Sequence, residues 1–371
     1  MKKKLLALII VLCLLTSGCF SYRDINKLLI VVTTIIDVDE EDNVVLYLEV
    51  FKPFRSEQIA GGKGQRLVYK SKGETLLEAI RDLNLGTSQK LNFTQNKTLI
   101  FTKKAAEKGL DFYIDFLNRD QEFVLRQFMY IYGEDPEKLL QTKLPEEEYI
   151  GIYLYEIPIN QAAAAKRYVT RIDDYLNNRL RGNRVDVIPV LILSKEHLDS
   201  KIRLQSTAVI KDDKMIGEMS MDETAIYNLM HHSLRTGTLL VHGKSNNIMT
   251  LEIVGSRVKT DLTYDGSIVK LKKDINVRTT FASTQKQIEL TNPEFRNELI
   301  KQEQKELEKK CLALFETWKE KGTDIFNNQE MFHRLYPHEK PDVEDIVEIM
   351  ELEVNVVITI EGSSDVTDYV E

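Results

Sequence analysis

Residues 258–281 are the stretch that most limits what this chain can fold into. Val258, Thr260, Leu262 and Tyr264 alternate with polar neighbours up to Asp265-Gly266, and Val269, Leu271, Ile275, Val277 and Phe281 continue the alternation beyond it. Lys270, Lys272, Asp274 and Arg278 fall on the opposite side. A period of two puts one face of a strand in a core and the other in water. The pattern therefore predicts two long antiparallel strands about an Asp-Gly turn, which reads as type I′. A helix with full punctuation follows: Asn292 as N-cap, Pro293 in the first turn, Glu294 at the positive end and Gly322 as the stop. Phe295, Leu299, Leu307, Cys311, Leu314 and Trp318 form one stripe along it, widened by Ile300, Leu312 and Phe315. A stripe that long needs a sheet to lie on, and the hairpin supplies one. Glu351 to Ile360 reads as a last strand. The expected carboxy-terminal half is an antiparallel sheet packed on one long helix.

The preceding residues alternate between strand and helix signals. Leu28 to Val38 and Val44 to Phe51 flank an acidic turn and read as a hairpin; Pro53 closes it, and Gly61, Gly62 and Gly64 mark a loop. After a short strand at Leu67 to Lys70, a helix runs from Glu74 to Leu85 with Leu76, Leu77, Ile80, Leu83 and Leu85 as its apolar set and Gly86 as its stop. Thr98 to Thr102 is a buried strand, Ala105 to Leu117 is helical with a break near Gly109, Phe123 to Tyr132 is a strand, and Pro136 to Leu140 is a short helix. Glu146, Glu147 and Glu148 read as the charged start of a helix. Asn160 to Leu180 has helical spacing at Ala165, Tyr168, Val169, Ile172, Tyr175, Leu176 and Leu180, with Asn160 and Gly182 as caps. Its other side carries Lys166, Arg167, Arg171 and Arg179 and reads as a solvated face or as a docking surface for an acidic partner. Val185 to Leu193 is a strand; Ser206 to Ile210 and Met215 to Met219 make a second hairpin, and Glu223 to His232 a helix. The fold class is α+β (mixed α/β) and multi-domain, with mixed and antiparallel sheets flanked by helices.

At the amino terminus Lys2, Lys3 and Lys4 precede an apolar run from Leu5 to Leu15, then Thr16-Ser17-Gly18-Cys19. Charge, greasy core and small residues form a secretory signal. The apolar run is short of the ~20 residues a bilayer-spanning helix needs. Small residues ending at a cysteine fit a lipobox, in which residues 1–18 are removed and Cys19 becomes the acylated first residue. The usual pattern has Leu three places before the cysteine, where Thr16 stands here. Several acyl chains on Cys19 would hold the protein firmly at a membrane. Residues 19–27 are then a lipidated approach to the fold.

The 371-residue chain exceeds one ordinary core. Its formal charge of −8, more negative once the signal lysines leave, argues against nucleic acid and against polybasic docking on anionic lipid. Cys13 goes with the signal and Cys19 is used for lipid, so Cys311 stands alone and reads as a small buried residue; an exported chain without a disulfide framework depends on packing.

Familiar catalytic and metal patterns do not close. Gly243-Lys244-Ser245 resembles the end of a phosphate loop, but Thr238 stands where that loop requires glycine. Adjacent His231 and His232 point about 100° apart on a helix and cannot chelate from one face. His333 and His338 flank Tyr336-Pro337 with no cysteine nearby, and the acidic run Asp37 to Asp42 lacks the glycine and terminal glutamate of a calcium loop. No enzyme activity, cofactor or metal is expected.

The chain resembles the Ger(x)C family, the lipoprotein C subunits of bacterial spore nutrient germinant receptors. Cys19-Phe20-Ser21-Tyr22-Arg23-Asp24-Ile25-Asn26 keeps the spacing of the family's lipid segment, with Phe20 for Trp, Ser21 for Asp and Asp24 for Glu. Gly73-Glu74-Thr75-Leu76-Leu77-Glu78-Ala79-Ile80-Arg81 looks like the family's helix start, and Phe116-Leu117-Asn118-Arg119-Asp120 like its next block. Gln95 stands where the family often has histidine. Ala208 to Gly217 resembles the family hairpin. Gly322-Thr323-Asp324-Ile325-Phe326 and Tyr336-Pro337 follow the long helix in the family's order, although a tryptophan common after that proline is missing.

The resemblance implies a non-enzymatic, palmitate-type lipoprotein on the outer surface of the spore's inner membrane, beside two integral membrane subunits, A and B. Germinant recognition is ascribed to those subunits, so the resemblance implies no ligand pocket here. It divides the chain into an amino-terminal α/β region at 28–205, with a candidate subdomain break near 143–185, and a carboxy-terminal germination-protein domain at 206–371. The competing reading is a lipid-anchored extracellular solute-binding protein, which needs two α/β lobes about a cleft. The basic side near Arg171 and the motif from Gly73 to Arg81 are the candidate contacts with a partner.

Overall fold

The structure, a computed structural model, describes residues 27–363 apart from 54–64, 160–164, 181–182, 195–200, 244–246, 285–292, 342 and 344. The signal run, Cys19 and its following segment, the glycines at 61–64, Asn160, Gly182 and Asn292 lie outside the described residues.

Strands β1 (Leu28–Val38) and β2 (Val44–Lys52) form the expected hairpin, extended by β3 (Gln65–Gly73). The chain then passes through α1 (Leu76–Gly86), β4 (Lys90–Asn92), β5 (Thr98–Thr102), α2 (Lys103–Lys108), α3 (Asp111–Arg119) and β6 (Phe128–Tyr132). Helices α4 (Pro136–Gln141), α5 (Ile150–Glu156) and α6 (Ile172–Arg179) lead to β7 (Val185–Ser194), β8 (Lys201–Lys211) and β9 (Lys214–Ser220). These strands make one nine-stranded sheet, ordered β3-β2-β1-β5-β6-β7-β8-β9 with β4 also on β1. Its middle, β1-β5-β6-β7, is parallel, and antiparallel hairpins close both ends. A parallel centre must be covered on both faces, which is why β1 and β5 read as nearly unbroken apolar runs. Adjacent residues Ile35 and Ile36 enter different cores. Ile36 packs with Ile80 of α1, Ala105 of α2 and Ile114 of α3, whereas Ile35 packs with Leu139 of α4 and Ile150 of α5.

The carboxy-terminal part begins with α7 (Met221–His231), whose start is a capping box between Ser220 and Glu223. A second sheet runs β10 (Gly237–Gly243), β11 (Asn247–Tyr264), β12 (Val269–Thr284) and β13 (Met350–Ser363) in that order, with α8 (Pro293–Lys319) and α9 (Asn328–Leu335) between its last two strands. The α8 stripe of Leu299, Leu307, Cys311, Leu314 and Trp318 is buried against this sheet. Gly322 stops the helix at φ +61°. Its N–H donates to the carbonyl of Lys319 and that of Thr323 to Trp318, a Schellman closure. Val187 and Val209, on β7 and β8, point into the same core as Trp318, so the first sheet forms part of the second unit's interior. The division expected at 205/206 falls within β8, and β8 and β9 complete the first sheet.

Several expectations need correction. The loop at Asp265-Gly266 is not type I′: only Gly266 has positive φ, and Tyr264 pairs with Val269 across a four-residue loop. Asp265 organises that loop by accepting from the N–H groups of Ser267 and Ile268. A two-residue turn with both φ values positive does occur at Asp212-Asp213, between β8 and β9. The last pairing, β12 with β13, is parallel, because the chain crosses back over α8 before returning. In α1, Leu77 and Leu85 are exposed, and Ala79 joins Leu76, Ile80 and Leu83 in the buried set. Strand β6 starts at Phe128, five residues later than the apolar run suggests. The largest departure is in the stretch expected as one helix over 160–180, where among the described residues α-helix runs only from Ile172 to Arg179. Residues 170–172 are instead bonded to the backbone of β6: Met129 N–H donates to Thr170 O and Ile172 N–H to Gln127 O. The edge of β6, which pairs with β7 only at Ile131 and Tyr132, outcompetes helical spacing.

Candidate functional site

Cys19 lies outside the described residues, and no described helix is long and apolar enough to cross a membrane. The basic side near Arg171 does not exist as a helix face. Lys166 pairs with Asp222 at 2.8 Å and Arg171 with Asp173 at 2.7 Å. Arg167 donates to the carbonyl of Ile157. Arg179 reaches Asp115 at 2.6 Å and Asp213 at 2.9 Å. Each cation is engaged within the chain, so no shared surface for an acidic partner results. Asp213, almost fully buried at its turn, also accepts from Arg184 and from the hydroxyl of Tyr175.

The Gly73–Arg81 motif builds a helix start. Thr75 Oγ1 accepts from Glu78 N–H, and the Glu78 carboxylate accepts from Glu74 N–H. A Cβ at Gly73 would sit 2.6 Å from the nitrogen of Ala79, so glycine there permits the close turn from β3 into α1. Similarly, Gly237 opens a paired strand rather than a phosphate loop, and a Cβ there would meet Ala165 at 2.4 Å.

What the sequence did not signal is a polar seam where the two units meet. A cavity of about 500 Å³ opens between residues 167–170, α6, β7 and the end of α7. Asn228 fixes its wall by donating to the carbonyls of Ala165 and Arg167 at 3.0 and 2.9 Å. Asp186, only 8% exposed, accepts from Asn178 at 3.0 Å and from the N–H of Val187 at 2.7 Å. Burial pushes its carboxyl up to about 6, and Asp174 across the cavity adds to the rise. His231 and His232 stand 4.3 Å apart, ring to ring, with Tyr168 5.9 Å from His232. Burial, then the neighbouring His232 and Lys273, hold His231 down to about 3, so it is neutral at pH 7.

Behind His231 lies Lys273, 3% exposed, on the inner face of β12. Its Nζ donates to Thr260 Oγ1 at 2.9 Å and to the carbonyl of Met230 at 3.2 Å, and lies 5.2 Å from the Phe326 ring centre. Burial lowers it to about 8. Asp324, fully enclosed, accepts from the N–H groups of Phe326 and Gln329 and from the Asn328 amide, which fixes the start of α9. Cys311 is buried with its thiol pushed up to about 12 by desolvation, so it stays protonated and unreactive. Among the described residues, no three His, Cys, Asp or Glu side chains converge to hold a metal ion.

Comparison with known proteins gives this architecture a family. Residues 21–193 match the spore germination protein N-terminal domain, and residues 205–364 match the spore germination B3/GerAC-like C-terminal domain. Spore germination protein GerQC of Bacillus cereus is 24% identical over 328 residues, covering 87% of this chain and 88% of that protein. Spore germination protein KC of Bacillus subtilis (strain 168) is 22% identical over 371 residues, covering 93% of this chain and 90% of the relative. The crystal structure of the GerBC protein shares the fold with a TM-score of 0.58 at 14% identity, over 88% of this chain and 96% of that one. With both domain matches in order and the fold shared across them, the chain belongs to the Ger(x)C family of spore germination proteins.

Proposed function

We propose that the chain is the C subunit of a nutrient germinant receptor, anchored by acyl chains on Cys19 at the outer surface of the spore's inner membrane, beside the integral membrane subunits A and B. The observation that carries this reading is the order of the two domain matches directly behind a signal that ends at Cys19. The subunit works by contact rather than catalysis, which agrees with a protonated, buried Cys311 and a neutral His231. Its two sequence modules, divided near 205, share one sheet through β8 and act as a single body.

A Cys19→Ala variant in the native spore-former tests the reading. Expected are loss of membrane retention, loss of co-purification with the A and B subunits, and a defect in nutrient-triggered germination. Normal retention with normal germination would overturn the anchor.

A further inference from the structure

Among the described residues, the groups around the seam cavity leave negative charge without a compensating partner. Asp186 is buried and, among the described residues, receives two neutral donors, the Asn178 amide and the Val187 N–H. Among the described residues, neither Asp186 nor Asp174 has an ion-pair partner, whereas the buried Glu49 and Asp213 are each met by arginine. The cavity's guanidinium, on Arg167, is turned to the carbonyl of Ile157. The two histidines add no positive charge at neutral pH, since burial lowers both. A volume of about 500 Å³ is that of a small-molecule site, far larger than one bare ion needs. Asn177 and Asn178 supply amide donors and acceptors along one wall, and Tyr168 supplies an aromatic surface.

We propose that this cavity binds a small organic ammonium compound, with Asp186 as the counter-ion, Asn177 and Asn178 holding its polar remainder, and Tyr168 lining the cationic end. The site lies in the subunit itself and does not depend on the receptor reading. A cation there supplies the charge that neutral donors leave uncompensated, and a buried carboxylate gains most from a partner that it can also hydrogen-bond.

The test uses the full chain purified in mild detergent, with L-alaninamide, ethanolamine and putrescine as ammonium probes. Propionamide, which matches alaninamide without the amine, is the control; binding is read by calorimetry and by thermal shift. At least one ammonium probe is expected to bind about tenfold or more tightly than propionamide. Asp186→Asn, which preserves the acceptor for Asn178, is expected to remove that preference. Asp174→Asn, at an exposed position, is expected to weaken it about two- to threefold without affecting folding. No binding by any ammonium probe, equal binding of alaninamide and propionamide, or an unchanged preference in Asp174→Asn and Asp186→Asn would each overturn the proposal. If Asp186→Asn does not fold, the Asp174→Asn result decides.

Discussion

The nine-stranded sheet is covered on both faces, while the four-stranded sheet turns one face to α7 and α8 and the other to water. The difference sets how each sheet treats charge. In the first, Glu49 has no exposure, and four groups hold it: Arg66 Nε at 2.6 Å, Thr33 Oγ1 at 2.5 Å, and the N–H groups of Ile150 and Gly151 at 3.0 Å each. The carboxylate thereby fixes the start of α5 against β1 and β2. In the second, charges gather on the wet face, where Arg278 meets Glu361 at 3.4 Å and Lys272 meets Glu353 at 4.0 Å. Lys273 is the exception, facing inward with neutral acceptors as its direct partners. The sheet closed on both sides meets Glu49 with an ion pair and leaves Asp186, at the seam, as its own exception, held by neutral donors, whereas the sheet with a wet face places most charge outside.

Glu49→Ala should give the largest effect, since it leaves Arg66 without its carboxylate and two helix N–H groups unpaired in the interior. A loss of about 3–5 kcal/mol is expected from urea unfolding. Trp318, the single tryptophan, reports the second core. Because Val187 and Val209 enter that core, its fluorescence should lose structure together with far-UV circular dichroism. Separate transitions would break the picture of joined units.

Lys273→Met should give a smaller, pH-dependent effect. The folded lysine titrates near 8 and the unfolded one near 10.5. In that window the unfolded chain takes up the proton first, so wild-type stability falls as pH drops from 10.5 to 8. The variant has no such slope and should gain on wild type over that interval, by an amount on the order of 3 kcal/mol. Parallel stability curves for the two proteins across that window would remove Lys273 from this account.

Lys272→Ala, one residue away on the wet face, should change stability by no more than about 0.5 kcal/mol in either direction. A loss approaching that of Glu49→Ala would mean that the wet face is covered after all.

Much of the architecture was legible in local pattern. The alternation of β12, the break at Gly109 and the stop at Gly322 stand where their residues indicated, and α1 begins two residues after the expected Glu74. The failures share a cause. Helical spacing at 167–171 carries no information about a β6 edge that needs hydrogen bonds from elsewhere. The apolar residues of the α8 stripe jump eight places from Leu299 to Leu307, and the skipped in-phase position is Glu303, 5% exposed with Oε1 unpaired. Leu271 and Ile275 likewise bracket Lys273. A charged residue in phase with a buried stripe was the available signal, and a reading that collects only apolar residues passes over it. The cavity had no signal of this kind, because it arises where three distant segments fail to fill one space.

The placement of β1 carries a mechanical consequence. If Cys19 is acylated as proposed, nine positions separate that anchor from Leu28, a reach of roughly 30 Å at full extension. Such a leash would be short, and it would feed an inner strand with β2 on one side and β4 and β5 on the other. A pull along that strand loads the hydrogen bonds on both flanks in shear, so they resist together and do not unzip one by one as they would at an edge. Movement of the membrane against the protein would thus be transmitted to the middle of the sheet as a rigid displacement.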